Sequence, residues 1–228
     1  MTHTNKFSIT SDLSQALRQR MPKSSGLTRS LQIKRLALEL EAAFHEAAQA
    51  VIALSKGGNV QDIRIHRTKA ERDAEAGSWA SGWILVDAPC DYAVSVLAGP
   101  IAVTSITGQP CYSNANTFAQ DRLSNQPMTV KAAEQVATTL VAQHWLSIEC
   151  IAAVLLTTRF PTGVRGYNSA QLQPYITHTG QSSASIKATI PQEIHQAWND
   201  IAAERQRRRR APVEIDLLAP VNLKRRCR

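Results

Sequence analysis

The chain has 228 residues, 43% of them hydrophobic, which favours one substantial core with tails over two full domains. Its formal charge of +8 is concentrated at one end: nine Lys or Arg from Arg205 to Arg228 against Glu214 and Asp216 give +7, leaving about +1 for the rest. Cys90, Cys111, Cys150 and Cys227 are widely spaced with no CxxC pair, which argues against a zinc ribbon or thioredoxin-type motif and points to a reduced, cytoplasmic compartment.

Residues 1–28 are polar and rich in Ser and Thr, lack the apolar run of a signal peptide, and end near the linker-like run Pro22-Lys23-Ser24-Ser25-Gly26, so a flexible arm is expected. From about Ser30 to Leu54, Leu36, Leu40, Phe44, Ala47, Val51 and Leu54 recur at helical spacing on one stripe. Gly57 and Gly58 stop this helix. Between Val60 and Val86 the period changes: "VQDIRIH" alternates, "GSWASGWILV" has the Trp, Ile and Val content of a second strand, and the charged "RTKAERDAEAG" connects them. Asp91 to Ile106 predicts an apolar helix with Pro100 at a break or kink, and Gly108 and Pro110 open a polar loop.

A long helix is expected from about Thr129 to Thr157, burying Val136, Leu140, Trp145, Ile148, Ala152 and Leu155. Residues 161–190 read as a polar linker, 191–210 as a final helix opened by Pro191, and 211–228 as a basic tail. No stretch reaches the roughly 18 consecutive apolar residues of a membrane span, so no membrane partner is expected.

The stretch "AFHEAAQAVIAL", residues 43–54, falls one residue short of the zinc-protease helix HExxH. Positions i and i+4 share a helix face, which is why two histidines at that spacing grip one zinc ion. Here His45 and Gln49 hold those positions, and Glu46 lies about 100° around the helix from His45, where a carboxylate can take a proton from metal-bound water.

The order of "FHEAAQAVIAL", the strand "VQDIRIH", "VSVLAGPIAV" and Gly108 resembles the peptidase domain of FtsH-type ATP-dependent zinc metalloproteases, and "AQHWLSIECIAAVLL" looks like the C-terminal helix of its short stand-alone relatives. The resemblance covers residues 29–160. It implies an α+β, mainly α, zincin-like domain with a small sheet, in which His45 is a zinc ligand and Glu46 the general base. It places Gln49 where the family has a second His. An Asp after the LAG segment completes the family's site; Asp121, 22 residues beyond Gly99, is the preferred match, with Asn116 the alternative.

An amide oxygen is a poor zinc donor beside an imidazole nitrogen, so Gln49 should lower zinc affinity by orders of magnitude and leave a weakly active or inactive metallopeptidase-like protein. No GxxxxGK[ST] loop occurs, so ATP-driven unfolding would need a separate ATPase, and any peptide substrate must be unfolded or small. His144 and Glu149 are five residues apart and read as surface residues, and His66 as structural.

Two other readings stand beside this one. Arg205, Arg207, Arg208, Arg209, Arg210 and "LKRRCR" could neutralise phosphates of a nucleic acid, or form a solvated helix end and tail. "APVEIDLLAPVNL" could be a docking segment for a partner protein, or an arm folding back on its own domain.

Overall fold

The computed structural model describes residues 9–74, 78–111, 113–158, 166–176 and 190–210. They are mainly helical, with one small antiparallel sheet. In chain order come α1 (Ile9–Arg20), α2 (Gly26–Ser55), β1 (Asn59–Ile65), α3 (Lys69–Ala74), β2 (Ala80–Leu85), α4 (Pro89–Thr107), α5 (Ala115–Leu123), α6 (Val130–Gln143) and α7 (Trp145–Thr157). The short α8 (Ser169–Leu172), a 3-10 turn (Gln173–Tyr175) and α9 (Gln192–Arg210) follow.

Thirty residues long, α2 is the axis of the fold, and α4, α7, α9 and both strands pack on it. A single apolar stripe underestimates its burial. From Ala43 to Ala53 only His45 and Gln49 are not fully buried, which the run of small alanines permits by letting neighbours approach on every side. Gly57, at φ 74°, provides the left-handed residue that lets the chain turn into β1.

β1 and β2 pair from Asn59–Leu85 to Ile65–Ala80, with a register shift between Val60 and Asp62. Val60, Ile63 and Ile65 face the core, which fixes the inner side of the hairpin. In the connection, Thr68 and Glu71 cap α3 reciprocally: the Thr68 hydroxyl accepts from the Glu71 N–H at 3.1 Å, and the Glu71 carboxylate accepts from the Thr68 N–H at 2.7 Å.

Pro100 does not break α4, which runs continuously from Pro89 to Thr107. By length and composition α4 could cross a membrane, unlike anything expected from the sequence, yet 56% of its apolar window is buried within the protein, where it serves as a core helix.

The expected single helix over 129–157 is two. It turns by 76° at His144, and this brings Trp145 against Phe44 of α2, their ring centroids 5.7 Å apart. After the turn Val136 is left at the surface while Trp145, Ile148, Ala152 and Leu155 are buried.

The core does not stop at residues 29 and 160. Within the expected arm, Leu13, Ala16 and Leu17 of α1 are buried, and Arg20 reaches the Leu156 carbonyl at 3.2 Å and pairs with the fully buried Glu39. Within the expected linker, Tyr167 forms a bridge with Ile63, and Leu172 is buried. Ile194, Ala197, Trp198 and Ile201 dock α9 on the same core, and the Trp198 indole donates to the Ala37 carbonyl at 3.1 Å. The tail 211–228 lies outside the described residues.

Candidate functional site

His45, Glu46 and Gln49 lie in the C-terminal half of α2, His45 and Gln49 turned toward α4 and Glu46 toward the sheet. Gln49 faces α4. Its amide nitrogen is 3.1 Å from His45 Nε2 and 3.2 Å from the Val96 carbonyl oxygen. An amide NH2 has two hydrogens and no lone pair to offer, so both contacts are donations, and His45 Nε2 is the acceptor with its proton on Nδ1. Burial holds the His45 pKa down to about 4, which keeps the ring neutral and its acceptor nitrogen available near pH 7.

The second of these bonds has a cause in the sequence. In a helix the carbonyl of residue 96 accepts from the N–H of residue 100, but residue 100 is proline and has none. Gln49 supplies the missing donor. The next residue back, Gly99, makes room for the imidazole: a Cβ there would lie 2.8 Å from both Cε1 and Nε2 of His45. Gly99 and Pro100 together therefore shape α4 to receive the His45–Gln49 pair.

Glu46 points toward the sheet. Its carboxylate lies beneath Gly82 of β2, where a Cβ would come within 1.9 Å of Oε2. That oxygen is buried without a hydrogen-bond partner among the described residues, and burial pushes the Glu46 pKa up to about 7. A proton-accepting group with a pKa near neutrality suits general-base work, but His45 and Glu46 open onto different elements, α4 and β2.

Asp121 is on the exposed face of α5, as is Asn116, so neither side chain shares the buried setting of His45 and Glu46. Among the described residues no three His, Cys, Asp or Glu side chains gather as a metal-holding group. The donors on this stretch of α2 are one imidazole nitrogen, already accepting from Gln49, and one amide; as arranged, this set does not fit a tetrahedral zinc ion.

Glu149 departs from its expected surface role. It is buried on α7, one turn from Trp145; among the described residues both carboxylate oxygens and the Trp145 indole nitrogen lack hydrogen-bond partners, and burial pushes its pKa up to about 7. His144 sits at the α6–α7 turn, its pKa lowered by burial. His66 is buried and lies 3.1 Å from the Ser81 hydroxyl, a structural role.

The arginine run divides. Arg205 is turned inward to Glu41 at 3.3 Å, where burial raises the Glu41 pKa and the guanidinium opposes that rise. It is an internal partner, and not part of an exposed basic face. Arg207 and Arg208 are exposed, Arg208 pairing with Glu204 one turn back at 2.5 Å. The side chains of Arg209 and Arg210 lie outside the described residues.

Sequence reasoning passed over Gly82 and the Pro100–Val96 vacancy and gave Glu149 a surface role. Two of these had signals: a glycine inside a strand marks a close approach, and a proline inside a helix names the carbonyl it orphans. No protein-family model matches the chain, no curated protein matches it, and no solved structure matches it.

Proposed function

We propose that the chain is a cytoplasmic, zincin-like relative of the FtsH-type peptidase domain whose HEAAQ helix no longer grips zinc and does not support efficient peptide hydrolysis. The order of elements supports the relationship: a long HE-bearing helix, an antiparallel hairpin laid over the glutamate, and an apolar helix whose glycine faces the histidine. The observation that carries the loss of function is the Gln49 amide nitrogen 3.1 Å from His45 Nε2. The nitrogen that would bind metal is instead a hydrogen-bond acceptor within the fold.

On this reading His45 and Gln49 join α2 to α4, and Glu46 is a buried carboxyl without a metal-bound water to activate. Peptide binding can outlast hydrolysis, with an unfolded chain as partner and a separate ATPase as the source of unfolding. Zinc content and casein cleavage of the full chain, purified without chelators or a metal-affinity tag, test the proposal. Little of either is expected.

A second reading, nucleic-acid association, is favoured by the exposure of Arg207 and Arg208 at the end of α9. Retention on labelled DNA or RNA should then fall steeply with salt. Neutralising Arg207–Arg210 should remove it, while Arg205→Ala should act on stability through Glu41.

A further inference from the structure

Leu27 and Leu31 stand in the first two turns of α2 with 77% and 60% of their surfaces in water. Four residues apart, they share one helix face. That face is turned away from the side of α2 that buries Ile33, Leu36 and Leu40. A single exposed leucine is ordinary, but a pair in adjacent turns at an exposed helix end marks a surface for a partner. Residues 23–28 are all exposed beside them.

The charge around this pair is one-sided. Between Leu13 and Leu38 stand Arg18, Arg20, Lys23, Arg29, Lys34 and Arg35, and no Asp or Glu. Three of these cations are occupied: Arg20 and Arg35 pair with Glu39, and Arg29 with Glu193 at 3.4 Å. Lys23 and Lys34 have no acidic partner among the described residues. Lys34 lies one turn beyond Leu31, on the same side of the helix. Lys23 lies in the connector before α2. Arg29 donates to the Pro22 carbonyl at 2.6 Å and the Ser24 hydroxyl donates to Gln32 at 3.0 Å, which holds that connector against the first two turns.

Exposed leucines flanked by lysines, with no acid among them, complement a surface that is anionic outside and hydrocarbon beneath. A nucleic acid would engage the lysines through its phosphates and leave the leucines in water. We propose that the N-terminal end of α2 docks on an anionic lipid surface, with Leu27 and Leu31 entering the headgroup layer and Lys23 and Lys34 meeting lipid phosphates. Interfacial docking of this kind needs no membrane span. It is also separate from His45–Gln49 chemistry, which belongs to the other half of the helix. The exposed Arg207 and Arg208 are distant too. α9 runs beside α2 in the same direction, with Glu193 at Arg29 and Arg205 at Glu41, which puts those arginines about 20 Å along the helix.

Co-sedimentation of the full chain with lipid vesicles tests this. Wild type should bind vesicles of equimolar phosphatidylglycerol and phosphatidylcholine at least about tenfold more tightly than vesicles of phosphatidylcholine alone. Leu27→Ser with Leu31→Ser changes only exposed side chains, so its circular dichroism should match wild type, while its binding to the anionic vesicles should weaken about tenfold or more. Lys23→Gln with Lys34→Gln should weaken that binding as well. On anionic vesicles the amides of residues 23–32 should exchange more slowly in wild type. Equal binding to both kinds of vesicle, or none, would overturn the proposal. So would equal binding by the leucine variant, since the arginine-rich end of α9 would then be holding the vesicle. A dimer of the free chain that the leucine variant dissolves, or DNA retention that it loses, would overturn it too, because a second copy or a nucleic acid would then be the occupant.

Discussion

Gln49 donates to the Val96 carbonyl at 3.2 Å, the carbonyl that Pro100 leaves without its helical donor. A side chain on α2 thus completes the backbone hydrogen bonding of α4. Gln49→Leu should leave both Val96 O and His45 Nε2 without their donor, at a cost of about 1–3 kcal/mol in urea unfolding. Pro100→Ala restores an N–H for Val96, so Gln49→Leu should cost less in that background. Equal costs in the two backgrounds would separate Gln49 from the proline.

Glu46 should make stability depend on pH in a defined window. Its folded pKa of about 7 lies above its ordinary 4.5, so the folded state keeps a proton that the unfolded state releases as pH rises from 4.5 to 7. Stability from this group is therefore complete below about 4.5 and lost through that window. His45, lowered from 6.5 to about 4, acts oppositely and loses stability as pH falls from 6.5 to 4. Glu46→Gln removes only the first effect. Relative to wild type the variant should gain up to about 3 kcal/mol between pH 4 and pH 8. Chemical denaturation at the two pH values checks this, and parallel pH profiles would contradict it.

Trp198→Ala should cost about 3–5 kcal/mol, because the indole is buried and bonded to the Ala37 carbonyl. Leu17→Ala should cost about 2–5 kcal/mol, because Leu17 of α1 is buried in the same core. A single cooperative transition, followed by circular dichroism and tryptophan fluorescence together, would show both terminal helices unfolding with the rest. A separate early loss of helix in wild type would mean that α1 or α9 is an appendage.

The central part of the fold was legible because its periods are strong. The stripe from Leu36 to Leu54, the alternation of "VQDIRIH" and the apolar run around Gly99 predict α2, β1 and α4 closely. α1 was obscured by its polar surroundings, although Leu13, Ala16 and Leu17 have helical spacing. The bend at His144 has no marker in its own residues; it is set by where Trp145 finds Phe44. At the site, the residue types His45, Glu46 and Gln49 were readable, but their directions were not. Direction depends on what approaches α2, and Gly82 and Gly99 are the positions where β2 and α4 leave room for Glu46 and His45.

The most direct test is zinc per chain by elemental analysis, on wild type and Gln49→His purified side by side without chelators or a metal-affinity tag. Wild type should hold far less than one zinc, with negligible cleavage of unfolded casein. Gln49→His, which restores an imidazole one turn from His45, should bind zinc more than about tenfold tighter if a carboxylate reaches the ion. Glu46→Gln in that background should then keep the metal and lose any recovered cleavage. About one zinc per wild-type chain, with casein cleavage abolished by His45→Ala, would contradict the broken grip at Gln49.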